Sequence, residues 1–156
     1  MYEEDELAIS FNEIRTEDRE LAIRASGQWS LGQLIKHIES LPLSPSTDVR
    51  FDFPEMAPSN LNCYRGSYTE LAINYKIGAP YPNAITFLGL LKSVIGKRLP
   101  GYKGGEFMMI HDTPLWVGNA SCHSRIGIVG VKTEMLNDKI VTIWLMTSHC
   151  EHTTRH

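Results

Sequence analysis

Three short stretches of the chain carry residue types that can do chemistry together. The first is Cys63–Tyr64–Arg65–Gly66–Ser67–Tyr68. An arginine flanked by tyrosines, with a glycine that permits close backbone approach, suits a planar or phosphorylated ligand. The guanidinium offers forked donors and the rings offer stacking faces. The alternative is that both tyrosines belong to the core and Arg65 pairs with Glu70 or Asp52. The second stretch is Gly101–Tyr102–Lys103–Gly104–Gly105–Glu106. A Gly-Gly pair beside a lysine and before a strand exposes successive backbone N–H groups to an anion, although such glycines also make ordinary tight turns. The third runs from His111 through Asp112, Thr113, Pro114 and Trp116 to Asn119, where a polar turn meets a strand and a small polar loop. Its turn-forming residues already account for Asp112, Thr113 and Pro114. The ligand-facing set expected from the three stretches is Tyr64, Arg65, Tyr68, Tyr102, Lys103, Gly104, Gly105, His111, Trp116 and Asn119.

Catalytic and metal chemistries find less support. The glycines of 101–105 lack the Gly-Lys-Ser/Thr ending of a phosphate-binding Walker loop, and there is no Gly-x-Ser-x-Gly elbow, HExxH pair or EF-hand loop. His111–Asp112 and Cys122–His123 are adjacent in sequence, a spacing that rarely gives the mutual hydrogen bond of a triad. Cys63, Cys122 and Cys150 are odd in number and far apart, which argues against a disulfide framework or a structural zinc site. His149, Cys150, His152 and His156 form a group with metal-binding potential, set against the more ordinary reading of residues 149–156 as a mobile tail. No catalytic residue, metal or cofactor is therefore expected.

The elements that must position these stretches belong to one domain. The chain has 156 residues, 42% of them apolar and 21% charged, enough to bury a core without disulfides or metal. Residues 1–20 hold Glu3, Glu4, Asp5, Glu6, Glu13, Glu17, Asp18 and Glu20 against Arg15 and Arg19, while the whole chain carries −3. The remainder is thus mildly basic. That balance argues against a dedicated duplex-DNA binder and allows a local anion pocket. No apolar run is long enough to span a bilayer, and the acidic start is the reverse of a signal peptide, so a cytoplasmic protein with no membrane partner is expected. The organisation predicted is an acidic leader over 1–28 with a possible edge strand, a single domain over 29–148 and the tail over 149–156.

Alternation predicts strands at Leu7–Phe11, Asp48–Phe53, Tyr68–Lys76, Phe107–Ile110, Leu115–Val117, Ile126–Val131 and Ile140–Met146. Helical spacing of Leu31, Leu34, Ile35, Ile38 and Leu41 after Ser30, stopped by Pro42, predicts one helix. Ala84, Leu88, Leu91 and Ile95, capped by Asn83 or Thr86, predict a second. Residues 54–62, rich in Pro, Ser and Asn, read as a turn, and residues 135–138 as a hairpin connection. The fold class expected is α+β, a largely antiparallel sheet of about six strands with two helices packed on one side.

Two resemblances bear on function. Val49–Arg50–Phe51–Asp52–Phe53, the Tyr64–Arg65–Gly66–Ser67–Tyr68 stretch with Glu70–Leu71–Ala72, the Gly101–Glu106 loop, Asp112–Thr113–Pro114–Leu115–Trp116–Val117 and Ile128–Val129–Gly130–Val131 together resemble small accessory proteins of tailed bacteriophages, from about Trp29 to Trp144. That resemblance implies a phage gene active in the host cytoplasm, where many such proteins antagonise host defence. Tyr64–Arg65–Gly66 also looks like the arginine motif of ADP-ribosyltransferases, but the Ser-Thr-Ser strand and the Glu-x-Glu that those enzymes need are not found. The function expected is capture of a small anionic ligand, such as a nucleotide derivative, or blockade of a host defence protein, without turnover and as a homo-oligomer. The alternatives are a small nucleotide-directed enzyme, transferase or hydrolase, and a structural protein with no ligand.

Overall fold

The structure, a computed structural model, describes residues 27–53, 56–118 and 125–150. The expected strand at Leu7–Phe11, Asn119, and most of the leader and tail lie outside the described residues. The chain order is α1 (Leu31–Glu39), β1 (Asp48–Phe51), β2 (Met56–Tyr64), β3 (Ser67–Ile77), α2 (Ala84–Ser93), β4 (Arg98–Pro100), β5 (Glu106–Met108), β6 (Leu115–Gly118), β7 (Ile126–Leu136) and β8 (Lys139–His149).

Helix α1 forms where its spacing and its cap agree. Gln33 donates its amide to Ser30 Oγ at 3.2 Å and returns its side-chain oxygen to the Ser30 amide at 2.8 Å, a reciprocal box that occupies two of the amides left open at a helix start. Leu31, Leu34, Ile35 and Ile38 are the buried stripe. In α2 the cap is Asn83, whose Oδ1 accepts from Ile85 and Thr86, and the buried residues are Ala84, Phe87 and Leu91. Gly96, at φ +78°, turns the chain out of it in the left-handed region that glycine enters at little cost.

Six strands form one sheet in the order β1-β8-β7-β6-β3-β2, and β4 and β5 form a separate hairpin. The fold is α+β as expected, but the sheet is mixed. β1 runs parallel to β8 and β3 parallel to β6, while β2–β3, β6–β7 and β7–β8 are antiparallel. Parallel neighbours need a crossover. Here α2 and the β4–β5 hairpin lie between β3 and β6 in the chain, and the pairing of β1 with β8 spans nearly the whole domain.

The sheet is strongly curled. Its two outer strands, β1 and β2, are joined by residues 52–55 alone, a link that reaches at most about 18 Å. A flat sheet of this order would hold them about 24 Å apart. Across the closure Phe51 and Phe53 stack at 5.0 Å, and both meet the edge of Tyr75 on β3, at 6.4 and 6.0 Å. Asp52 pins the same corner by accepting the Thr147 amide at 2.9 Å and the Thr147 hydroxyl at 2.6 Å.

Each face of the sheet has its own apolar cluster. The larger joins the buried residues of both helices to Val49, Phe51, Leu71, Ile73, Leu115, Val117, Ile128, Ile143 and Leu145. The helices pack loosely, with four of nine residues buried in α1 and three of ten in α2. The residues between those strand positions point the other way: Tyr64, Ala72, Trp116 and Cys150 form the second cluster, with Val129 beside it. Among the described residues no helix is long and apolar enough to cross a membrane.

Candidate functional site

Two hairpin turns meet at the candidate site. Arg65 and Gly66 are the two-residue connection of the β2–β3 hairpin, between the paired residues Tyr64 and Ser67. Residues 101–105 connect β4 to β5, closed by Gly101 N–H donating to Gly105 O at 2.9 Å and Gly104 N–H donating to Gly101 O at 3.1 Å. Gly104 and Gly105 sit at φ +109° and +79°, so this loop needs glycine at both positions.

The contact between the hairpins is aromatic. Tyr68 packs on Phe107 of β5 with ring centres 5.6 Å apart. Gly101 fits into the same seam, where a Cβ would come within 2.7 Å of Phe107 and 2.9 Å of Tyr68. With the seam closed, the Arg65 guanidinium carbon lies 3.7 Å from the centre of the Tyr102 ring, a cation–π stack. Tyr102 keeps 64% of its surface exposed, and its neighbours Lys103, Gly104 and Gly105 are exposed as well. Lys97, just before β4, and Arg98, at its start, are exposed and add positive charge, and Glu106 is the one acid on the hairpin. An exposed ring backed by a guanidinium and followed by an ammonium is equipped to stack on a planar group and to bind negative charge.

The other expected residues lie elsewhere. Tyr64 and Trp116 are 2% and 1% exposed and stack on each other at 4.4 Å with their planes 5° apart. The Trp116 indole donates to the Glu70 carboxylate at 2.7 Å. His111 is exposed at the start of α1, where its carbonyl accepts the Gly32 amide at 2.8 Å. The Gly104 amide, expected to face a ligand, closes its own turn instead. Cys63 is buried, and burial pushes its thiol pKa up, which suits a packing residue rather than a nucleophile. Among the described residues no group of three or more His, Cys, Asp or Glu is placed to hold a metal.

Sequence reasoning passed over Phe107, which holds Tyr68 and Gly101, and the Lys97–Arg98 pair. Alternation of Phe107 with exposed neighbours was the available signal for the first. Two successive cations just before the Gly101 loop were the signal for the second.

Comparison with protein-family models, with curated proteins and with solved structures finds no match to the chain.

Proposed function

We propose that the protein captures a small anionic ligand with a planar part, a nucleotide derivative by its chemistry, at the surface formed by Arg65, Tyr102 and Lys103, and releases it unchanged. The observation that carries this reading is the Arg65–Tyr102 stack, which presents a cation and a largely exposed ring side by side. Arg65 holds the ring against one side, so a base binds the remaining surface without first ordering the tyrosine. Lys103 supplies the counter-charge to a phosphate. The resemblance to phage accessory proteins supports a role in host-defence antagonism inside the infected cell.

The test is calorimetric titration with a panel of mononucleotides, cyclic dinucleotides and inorganic phosphate. A charge-assisted hydrogen bond contributes about 1.5–3 kcal/mol, so Arg65→Ala and Lys103→Ala are each expected to weaken the best binder about tenfold or more, and Tyr102→Ala to weaken nucleotides more than phosphate. Affinities unchanged in all three variants overturn the reading. So does a chemically altered nucleotide recovered after incubation, which would mean turnover.

A further inference from the structure

Strand β7 is paired along its whole length on one side and almost nowhere on the other. β8 takes it from Ile126 to Leu136. On the opposite edge β6 meets it at Trp116↔Gly127, and Trp29 donates its amide to Ile128 O at 2.7 Å. From residue 129 to 136 no other described strand pairs with that edge.

Open edges in native sheets are commonly blunted by proline, by inward-pointing charge or by repeated bulges. Residues 129–136 contain no proline. One bulge falls at Val129 of β7, between Ile128↔Thr147 and Gly130↔Met146, and a second at Val141 of β8, between Glu134↔Thr142 and Met135↔Ile140, so β7 itself carries no extra residue from 130 to 136. Val131 and Thr133 lie opposite the core residues Leu145 and Ile143, whereas Lys132 and Glu134 lie opposite Trp144 and Thr142 on the other face. Both charges therefore stand off the core. Trp144 Nε1 donates to Glu134 Oε1 at 3.2 Å and fixes that side chain along the sheet. At the end of the strand Met135 and Leu136 are 53% and 61% exposed.

We propose that this edge pairs antiparallel with the same edge of a second copy, about a two-fold axis at Thr133, so that the two six-stranded sheets become continuous. The charge pattern selects the register. With the axis at Thr133, Lys132 faces the partner's Glu134 and Glu134 faces the partner's Lys132. Moving the axis one residue either way sets Lys132 against the partner's Lys132, or Glu134 against the partner's Glu134, and like charges directly opposite are unfavourable. The same register lays Val131 beside the partner's Met135 on the core side, which covers one of the exposed side chains. A closed two-fold pair also ends the edge, where any other stagger would leave a template for further addition. This surface makes no use of the Arg65 hairpin.

Sedimentation of the full chain over a range of concentrations tests the proposal. The expected species is a dimer of twice the 17.6 kDa chain mass. Lys132→Glu alone and Glu134→Lys alone should each raise the dimer dissociation constant about tenfold or more, because each converts both cross-strand pairs to like charge. An equimolar mixture of the two variants should restore the dimer, and so should the double exchange Lys132→Glu with Glu134→Lys. A wild-type chain that stays monomeric up to about 100 μM, or a dimer indifferent to both reversals, overturns the proposal. Hydrogen exchange on the wild type gives a second readout that needs no variant: amides of residues 129–136 on the open side should be slow in the dimer and fast on dilution. Slow exchange that persists in the monomer would mean the chain covers its own edge, and overturns it too.

Discussion

Tyr64 and Trp116 stack face to face, 4.4 Å apart and 5° from parallel, and Gly66 is the residue that makes room for the pair. A Cβ at position 66 would lie 2.6 Å from the Tyr64 ring. The ring has little room to shift, since it is 2% exposed and stacked on the buried Trp116. Gly66→Ala is therefore expected to destabilise the protein by about 1–3 kcal/mol, the usual cost of overpacking, read as a lower denaturant midpoint with an altered near-ultraviolet tryptophan signal. An unchanged midpoint would show that the stack yields freely.

Gly89 offers the opposite outcome. It is exposed in the middle of α2, and a Cβ there meets nothing within 4 Å. Gly89→Ala should stabilise by about 0.5–1 kcal/mol through helix propensity and reduced freedom of the unfolded chain. A neutral or destabilising result in thermal unfolding would contradict the exposure of that face.

The β7–β8 hairpin turns on Asn137 and Asp138, both in the left-handed region at φ +54° and +66°. That pair of angles belongs to the tight hairpin turn that matches strand twist, and asparagine and aspartate tolerate it better than other non-glycine residues. Asp138→Gly is expected to be neutral or to stabilise by up to about 1 kcal/mol, and Asp138→Val to destabilise by about 1–2 kcal/mol. Chemical denaturation of the two variants checks the contrast, and equal midpoints would refute it.

His37, on the last turn of α1, has its ring against the edge of Trp29 at 5.4 Å. Burial lowers its pKa from the ordinary 6.5. The unfolded chain therefore takes up this proton first as the pH falls. Stability is fully present above about pH 6.5 and declines below it until the folded imidazole also titrates. The melting temperature of the wild type should drop more between about pH 7 and pH 5 than that of His37→Gln. An NMR titration midpoint for His37 at or above 6.5 would reverse the sign.

Much of this architecture was legible in local pattern. Ser30 with Leu31, Leu34, Ile35 and Ile38 marked α1 and its cap, Asn83 was one of two candidates for the cap of α2, and the alternation of Leu71 and Ile73 with Ala72 marked β3. The strands missed were the three-residue β4 and the much longer β2. Pro58, Ser59, Asn60 and Asn62 read as turn residues, yet they lie on an outer strand, which has a ladder on one side and can carry a residue without an N–H on the other. The parallel partners were also invisible, since the pairing of Asp48 with Thr142 leaves no trace in either segment's own pattern. At the candidate site the types and spacing of Arg65, Tyr68, Gly101 and Tyr102 were readable. That Tyr64 turns its ring the other way, toward Trp116, depended on which side of the sheet each alternating residue takes.

Strand β8 is the last of the described strands to leave the ribosome, and it stands between β1 and β7 in the finished sheet. Until β8 emerges β1 waits without its parallel neighbour and β7 without its hairpin mate, so the sheet cannot close before residues 139–149 are made. Truncation within residues 139–149 would release a chain with two bare backbone ladders and an open apolar interior, the form most prone to misassembly with other nascent chains.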